Sequence, residues 1–194
     1  MKKSLIYFAI IALALTVAAC GSGPEPAPEQ TAQQQDLPSF YLNPPVAEDA
    51  IYGVGSAKMS TLDNSRRMAL SRARNDIAFQ MRAVIESSIV DYAQEAGVDG
   101  NNQVINFVEN VSRQVTETTL QGARTEEVAM GSDGTVYALV SYPRNGFEDA
   151  AQEAFSRNED AAFAEFKADQ ALEYLDSQLE NNPPQAGQSG ESDG

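Results

Sequence analysis

The chain has no histidine, no tryptophan and one cysteine, and 13 of its 194 residues are basic against 28 acidic. Each shortage excludes something. Without histidine, Ser-His-Asp and Cys-His catalysis are ruled out, and the commonest metal ligand is missing. One cysteine permits no intramolecular disulfide. A formal charge of -15 cannot neutralise nucleic-acid phosphates, so no nucleic acid is expected as a partner. Anionic lipid headgroups would repel such a body as well. Long apolar runs are scarce. The one from Leu5 to Leu15 is too short for a spanning helix, which needs roughly 20 apolar residues to cross about 30 Å of hydrocarbon.

What is present starts with that run. Lys2 and Lys3 precede it, small residues follow, and hydrophobicity stops at Gly21-Ser22-Gly23-Pro24, the pattern of an export signal over residues 1–19. Val17-Ala18-Ala19-Cys20 resembles a bacterial lipobox. The resemblance implies cleavage after the recognition residues Val17, Ala18 and Ala19. It also implies a lipid on the Cys20 sulfur and an acylated (palmitate-type) amino terminus. Several acyl chains hold a protein stably where one is marginal, at about 0.8 kcal/mol per buried methylene. Gly21 stands where an aspartate would retain such a protein in the inner membrane, so by analogy the expected destination is the outer membrane. The lipid on Cys20 is the only covalent group expected; no other cofactor and no metal are read from the chain.

Residues 20–38 form a linker rich in proline and glutamine, able to extend by about 3.1 Å per residue. Ile51-Tyr52-Gly53-Val54-Gly55-Ser56-Ala57 reads as a short strand whose glycines pack against a helix. They do not form a dinucleotide loop, because Lys58 occupies the place of the third glycine. Ser60-Thr61-Leu62-Asp63 starts a helix over roughly 63–96, with an apolar stripe of Leu70, Ala73, Ile77, Met81, Val84, Ile85, Ile89 and Tyr92 and a cap at Gly97. Asp99-Gly100-Asn101-Asn102 is a turn without the ligand spacing of a calcium loop. A second helix carries Val104, Phe107, Val108, Val111 and Val115. From Thr119 the period becomes two. Thr119–Met130 and Thr135–Tyr142 read as strands joined by the hairpin turn Gly131-Ser132-Asp133-Gly134. Asn145 caps a third, acidic amphipathic helix over 146–180, and residues 181–194 read as a disordered tail.

Five of the eleven basic residues downstream of the signal, Arg66, Arg67, Arg72, Arg74 and Arg82, lie on the first helix, whereas the third is acidic from Glu148 to Glu180. Ordinary solvated faces with local pairs such as Arg82–Glu86 fit this pattern. So do complementary surfaces within a chain or between subunits.

Tyr52-Gly53-Val54-Gly55-Ser56-Ala57, followed by Arg66, Ala69 and Ala73-Arg74 on a helix, resembles the signature of the lipoprotein-20 family. These are small bacterial outer-membrane lipoproteins typified by a Helicobacter antigen. The similarity covers about 40–145, and the tryptophan often found before the first strand is replaced by Phe40-Tyr41. It implies an α+β domain over 39–145, long helices on one face of a small, mainly antiparallel sheet, and no catalytic activity. Some similar proteins, a flagellar basal-disk lipoprotein among them, build multimeric envelope structures. The expected function is therefore a non-catalytic, lipid-anchored structural or interaction role in the cell envelope. Its partners would be the membrane, other envelope proteins or further copies of itself. The alternative is a monomeric module holding an anionic glycan or lipid headgroup on Arg66, Arg67 and Arg74. An enzyme using carboxylates alone needs a defined pair, and nothing singles one out among the 28 acids.

Overall fold

The computed structural model describes residues 37–98 and 102–187. The signal, the lipobox with Cys20, the linker through Asp36 and the turn at residues 99–101 lie outside the described residues. In chain order the elements are α1 (Ser39–Leu42), β1 (Ala50–Ala57), α2 (Leu62–Glu95), α3 (Asn102–Gly122), β2 (Arg124–Met130), β3 (Val136–Pro143), α4 (Arg144–Asn158), a 3₁₀ turn (Glu159–Ala161) and α5 (Ala168–Asn181). The strands form one antiparallel sheet in the order β1-β3-β2. The fold is α+β, with the long helices on one face of the sheet.

Helix α2 begins and ends for local reasons. The Thr61 hydroxyl accepts the Asn64 N–H at 3.3 Å, and Asp63 sits in the positively polarised first turn. At the far end Gly97 adopts φ +74°, the Gly97 N–H donates to the Gln94 carbonyl and the Val98 N–H to that of Ala93. This is the Schellman closure, which favours a residue without Cβ. The N-terminal half of α2 lies on β1 and β3, against Ile51, Ala57, Val136, Ala138 and Val140. Its C-terminal half leaves the sheet and packs against α3 and α5, so the buried stripe shifts around the helix from Ala69 and Ala73 towards Ile89 and Ala93. On the opposite face of the sheet Val54, Tyr137 and Leu139 are covered by Phe40 and Tyr41, whose ring meets that of Tyr137 edge-on at 4.9 Å.

Three expectations are corrected. Helix α3 runs to Gly122, so β2 starts at Arg124 and not at Thr119. Thr119 is fully buried one turn after Val115, where tertiary packing overrides its β-branched preference, and its hydroxyl is satisfied by donating to the Val115 carbonyl at 2.8 Å. Residues 146–180 are not one helix, and the first piece starts at Arg144 after Pro143, so Asn145 lies inside it and makes no cap. Unbroken, they would extend roughly 50 Å and carry their apolar half past the core. The chain turns at residues 159–167 instead, where Phe163 and Phe166 enter a cluster with Tyr92, Phe107 and Phe155. The Tyr92 hydroxyl holds that turn, donating to the Glu165 carbonyl at 2.6 Å and accepting the Lys167 N–H at 3.2 Å. Finally, the segment after α5 is packed as far as Gly187. Ala186 joins the Val54 cluster and the Gly187 N–H donates to Asp76 Oδ2 at 2.8 Å. Residues 188–194 lie outside the described residues.

Candidate functional site

The contact between β1 and α2 explains the glycine signature. A Cβ on Gly53 would stand 2.2 Å from the Ala73 carbonyl oxygen and 2.6 Å from Ile77 Cγ1. One on Gly55 would stand 2.4 Å from the Ala69 carbonyl oxygen. Strand and helix thus touch backbone to backbone, and the small Ala69 and Ala73 complete the contact. Both glycines lie inside a paired strand, Gly53 opposite Val140 and Gly55 opposite Ala138, and form no loop that could cradle a phosphate.

The same helix caps the free edge of β1. Arg72 Nη1 donates to the Ser56 carbonyl at 2.6 Å, Asp76 Oδ2 accepts the Val54 N–H at 3.0 Å, and Gln80 Nε2 donates to the Tyr52 carbonyl at 2.9 Å. Four helical residues rise about 6 Å and two strand residues about 6.7 Å. Side chains one turn apart therefore meet every second strand residue, as a neighbouring strand would. An unpaired edge is a template for aggregation, and this device closes it. Asp76 is 1% and Gln80 5% exposed, and Asp76 Oδ1 and Gln80 Oε1 have no partner among the described residues.

The three arginines expected to form one face lie in the N-terminal half of α2. At about 100° per residue, Arg67 and Arg74 align on one side of α2, some 10 Å apart along the axis, with Arg66 roughly a quarter turn away. Arg66 is exposed, Arg74 is half-buried, and Arg67 pairs with Asp63 at 2.9 Å with both groups in water. Arg82 does not pair with Glu86. It faces a hollow shared with Glu109, Arg113 and Glu117 of α3, where Arg113 and Glu109 pair at 3.0 Å. Among the described residues no ion pair joins α2 to α4 or α5. The acidic helix α4 pairs within itself, Arg144 with Glu148 at 2.9 Å and Arg157 with Glu153. Among the described residues, the charged groups of α2 therefore form no ion pair with those of the acidic helices.

Perturbed acids are few and do not gather in a cleft. Asp133, in the hairpin turn, is held below the usual carboxylate range by the Thr135 hydroxyl and N–H, with Lys58 3.6 Å away. Asp176 on α5 is pushed up by burial and by nearby Glu148. Among the described residues no cluster of three or more acidic or cysteine side chains is placed to hold a metal ion, and no helix is long and apolar enough to cross a membrane.

A sequence profile of the LPP20 lipoprotein family matches residues 38–142, more than half of the chain. The chain belongs to the LPP20 lipoprotein family. The LPP20 span runs from α1 through β3 and takes in the whole sheet with α2 and α3, whereas α4 and α5 lie beyond it. Membership makes the protein a lipoprotein of the cell envelope, in a family not known for enzymes. No curated protein and no solved structure matches the chain. Within the LPP20 domain, sequence reasoning missed Asp76 and Gln80. The available signal was two polar residues one turn apart, on the helix face that also carries Ala73, Ile77 and Met81.

Proposed function

We propose that this LPP20 protein is a non-catalytic lipoprotein, anchored at the outer membrane through Cys20, with a structural or protein-interaction role and the capacity to self-associate. One observation carries the reading: the family match covers a domain whose signature residues, Gly53, Gly55, Ala69 and Ala73, serve helix–sheet packing and not chemistry. Its partners are the membrane, through the lipid, and other envelope proteins or further copies. Intact-mass analysis of protein extracted from membranes should give a chain beginning at a lipidated Cys20. A chain that retains Met1, or an unmodified residue 20, sinks the anchor. Crosslinking in intact cells should yield species above monomer; a strictly monomeric lipidated protein at high concentration argues against assembly.

A second reading rests on Arg66 and Arg74, which make no ion pair among the described residues. With Arg67, whose surface pair is worth little, they would hold an anionic glycan or headgroup. Replacing all three by glutamate should then abolish salt-sensitive binding, and binding that survives unaltered rejects this alternative.

A further inference from the structure

A cleft of about 540 Å³ opens between α2, the end of α5 and the segment that follows it. Although the chain has 28 acidic and 13 basic residues, none lines this cleft. Its walls include Phe79, Gln80, Gln178, Asn181, Asn182 and Pro184. Phe79 is 48% exposed, an unusual position for a ring on a helix whose other face is so well packed. Gln80 is 5% exposed and its Oε1 has no partner among the described residues. On the other side of Phe79 lies a second hollow of about 480 Å³ that includes Tyr41, Asn75, Asp76, whose Oδ1 is likewise unpartnered among the described residues, and Arg72, whose guanidinium is engaged by the Ser56 carbonyl.

The amides at the cleft are oriented in advance. Gln178 Nε2 donates to Asp91 Oδ2 at 2.7 Å, which turns Gln178 Oε1 towards Asn182, and this oxygen accepts Asn182 Nδ2 at 3.1 Å. Asn181 Nδ2 donates to Ser177 Oγ at 3.1 Å. Both asparagines line the cleft, and each engages its NH₂ within the protein. A ligand matching this lining carries neutral hydroxyl donors and one apolar face. An alkyl ligand would leave the amides unpaired, and an anionic one would find no cation in the first cleft of a strongly acidic protein.

We propose that this cleft binds a neutral saccharide, a pyranose ring stacking its C–H face on Phe79 while its hydroxyls donate to Asn181 and Asn182. The second hollow, sharing Phe79, extends the site to a further sugar unit. Arg67 and Arg74 do not line the site, and the proposal does not depend on self-association.

The test is saturation-transfer NMR on the full-length protein in a detergent without a sugar headgroup, using chitotriose, maltotriose and the anionic sialyllactose. Transfer to ring C–H protons of at least one neutral trisaccharide is expected, with sialyllactose weaker. Phe79→Ala should weaken binding about tenfold with an unchanged circular dichroism spectrum. No transfer to either neutral sugar at about 10 mM, equal binding of sialyllactose, or full affinity in Phe79→Ala each overturns the proposal.

Discussion

Gly53→Ala is the sharpest test of the helix–sheet contact. The added methyl would lie 2.2 Å from the Ala73 carbonyl oxygen, so strand and helix must separate by about 0.8 Å to reach 3.0 Å, the shortest approach a Cβ tolerates. The opposing atom belongs to the main chain in the middle of α2 and cannot rotate aside. Ala73 and Ile77 are fully buried, so the turn that carries them has to lift out of a filled core. Overpacking of this kind costs about 1–3 kcal/mol, and a backbone opponent places the change at the upper end. The reduced freedom of the unfolded chain returns about 0.5–1 kcal/mol, leaving a net loss near 2 kcal/mol. With a urea m-value of about 2 kcal/mol per molar, the midpoint followed by circular dichroism should fall by about 1 M. Gly97→Ala is the control, because nothing lies within 4 Å of its Cβ position and only its φ of +74° resists the change, for about 1 kcal/mol. A loss below about 0.5 kcal/mol for Gly53→Ala, or a larger loss for Gly97→Ala, would refute the close-approach argument.

Tyr92→Phe keeps the ring contacts with Phe163, Phe166 and Tyr174 but removes the hydroxyl that holds the Glu165 carbonyl and the Lys167 N–H. A loss of about 1–2 kcal/mol is expected, with faster amide exchange at Lys167; unchanged exchange there would show that the turn is held by other contacts. Asp176→Asn should stabilise the protein at neutral pH, because burial raises this carboxyl above 3.8 and the folded state disfavours its charge. The residue is exposed and its carboxyl is only partly covered, so solvent screening should keep the gain below about 0.5 kcal/mol. It should shrink as pH falls through the raised value and vanish below 3.8, where the native carboxyl is protonated in both states. A gain that grows towards acid pH contradicts this sign.

Much of the fold was legible because its signals are local. The limits of α2 follow from Thr61 and Gly97, and the hairpin from Gly131 to Gly134, where the Gly131 N–H bonds the Thr135 carbonyl. The valine stripe of α3 is buried as its spacing requires. Elsewhere local preference misled. Thr118 and Thr119 favour strands by type, yet Thr119 lies one turn from Val115 and beside Met81, whose sulfur is 3.1 Å from its hydroxyl. The apolar spacing from Phe147 to Leu179 suits one helix or two, and nothing near residue 160 announces that Phe163 and Phe166 must turn into the core. Of the candidate site residues, Cys20 lies outside the described residues, while Arg67 and Arg74 share one side of α2 with Arg66 roughly a quarter turn away.

By itself the sequence settled what depends on composition or on neighbours within four residues. It excluded histidine chemistry and a disulfide, placed the two ends of α2 and the hairpin turn, and marked Gly53 and Gly55 as a close approach. Only the tertiary structure decided which groups meet across long separations: Tyr92 with Glu165, Asp91 with Gln178, and Asp76 with both Val54 and Gly187. The reason is physical. A cap is satisfied within its own turn of helix, whereas a strand edge or a buried carboxylate takes its partner from whatever packing brings alongside, and 111 residues separate Asp76 from Gly187.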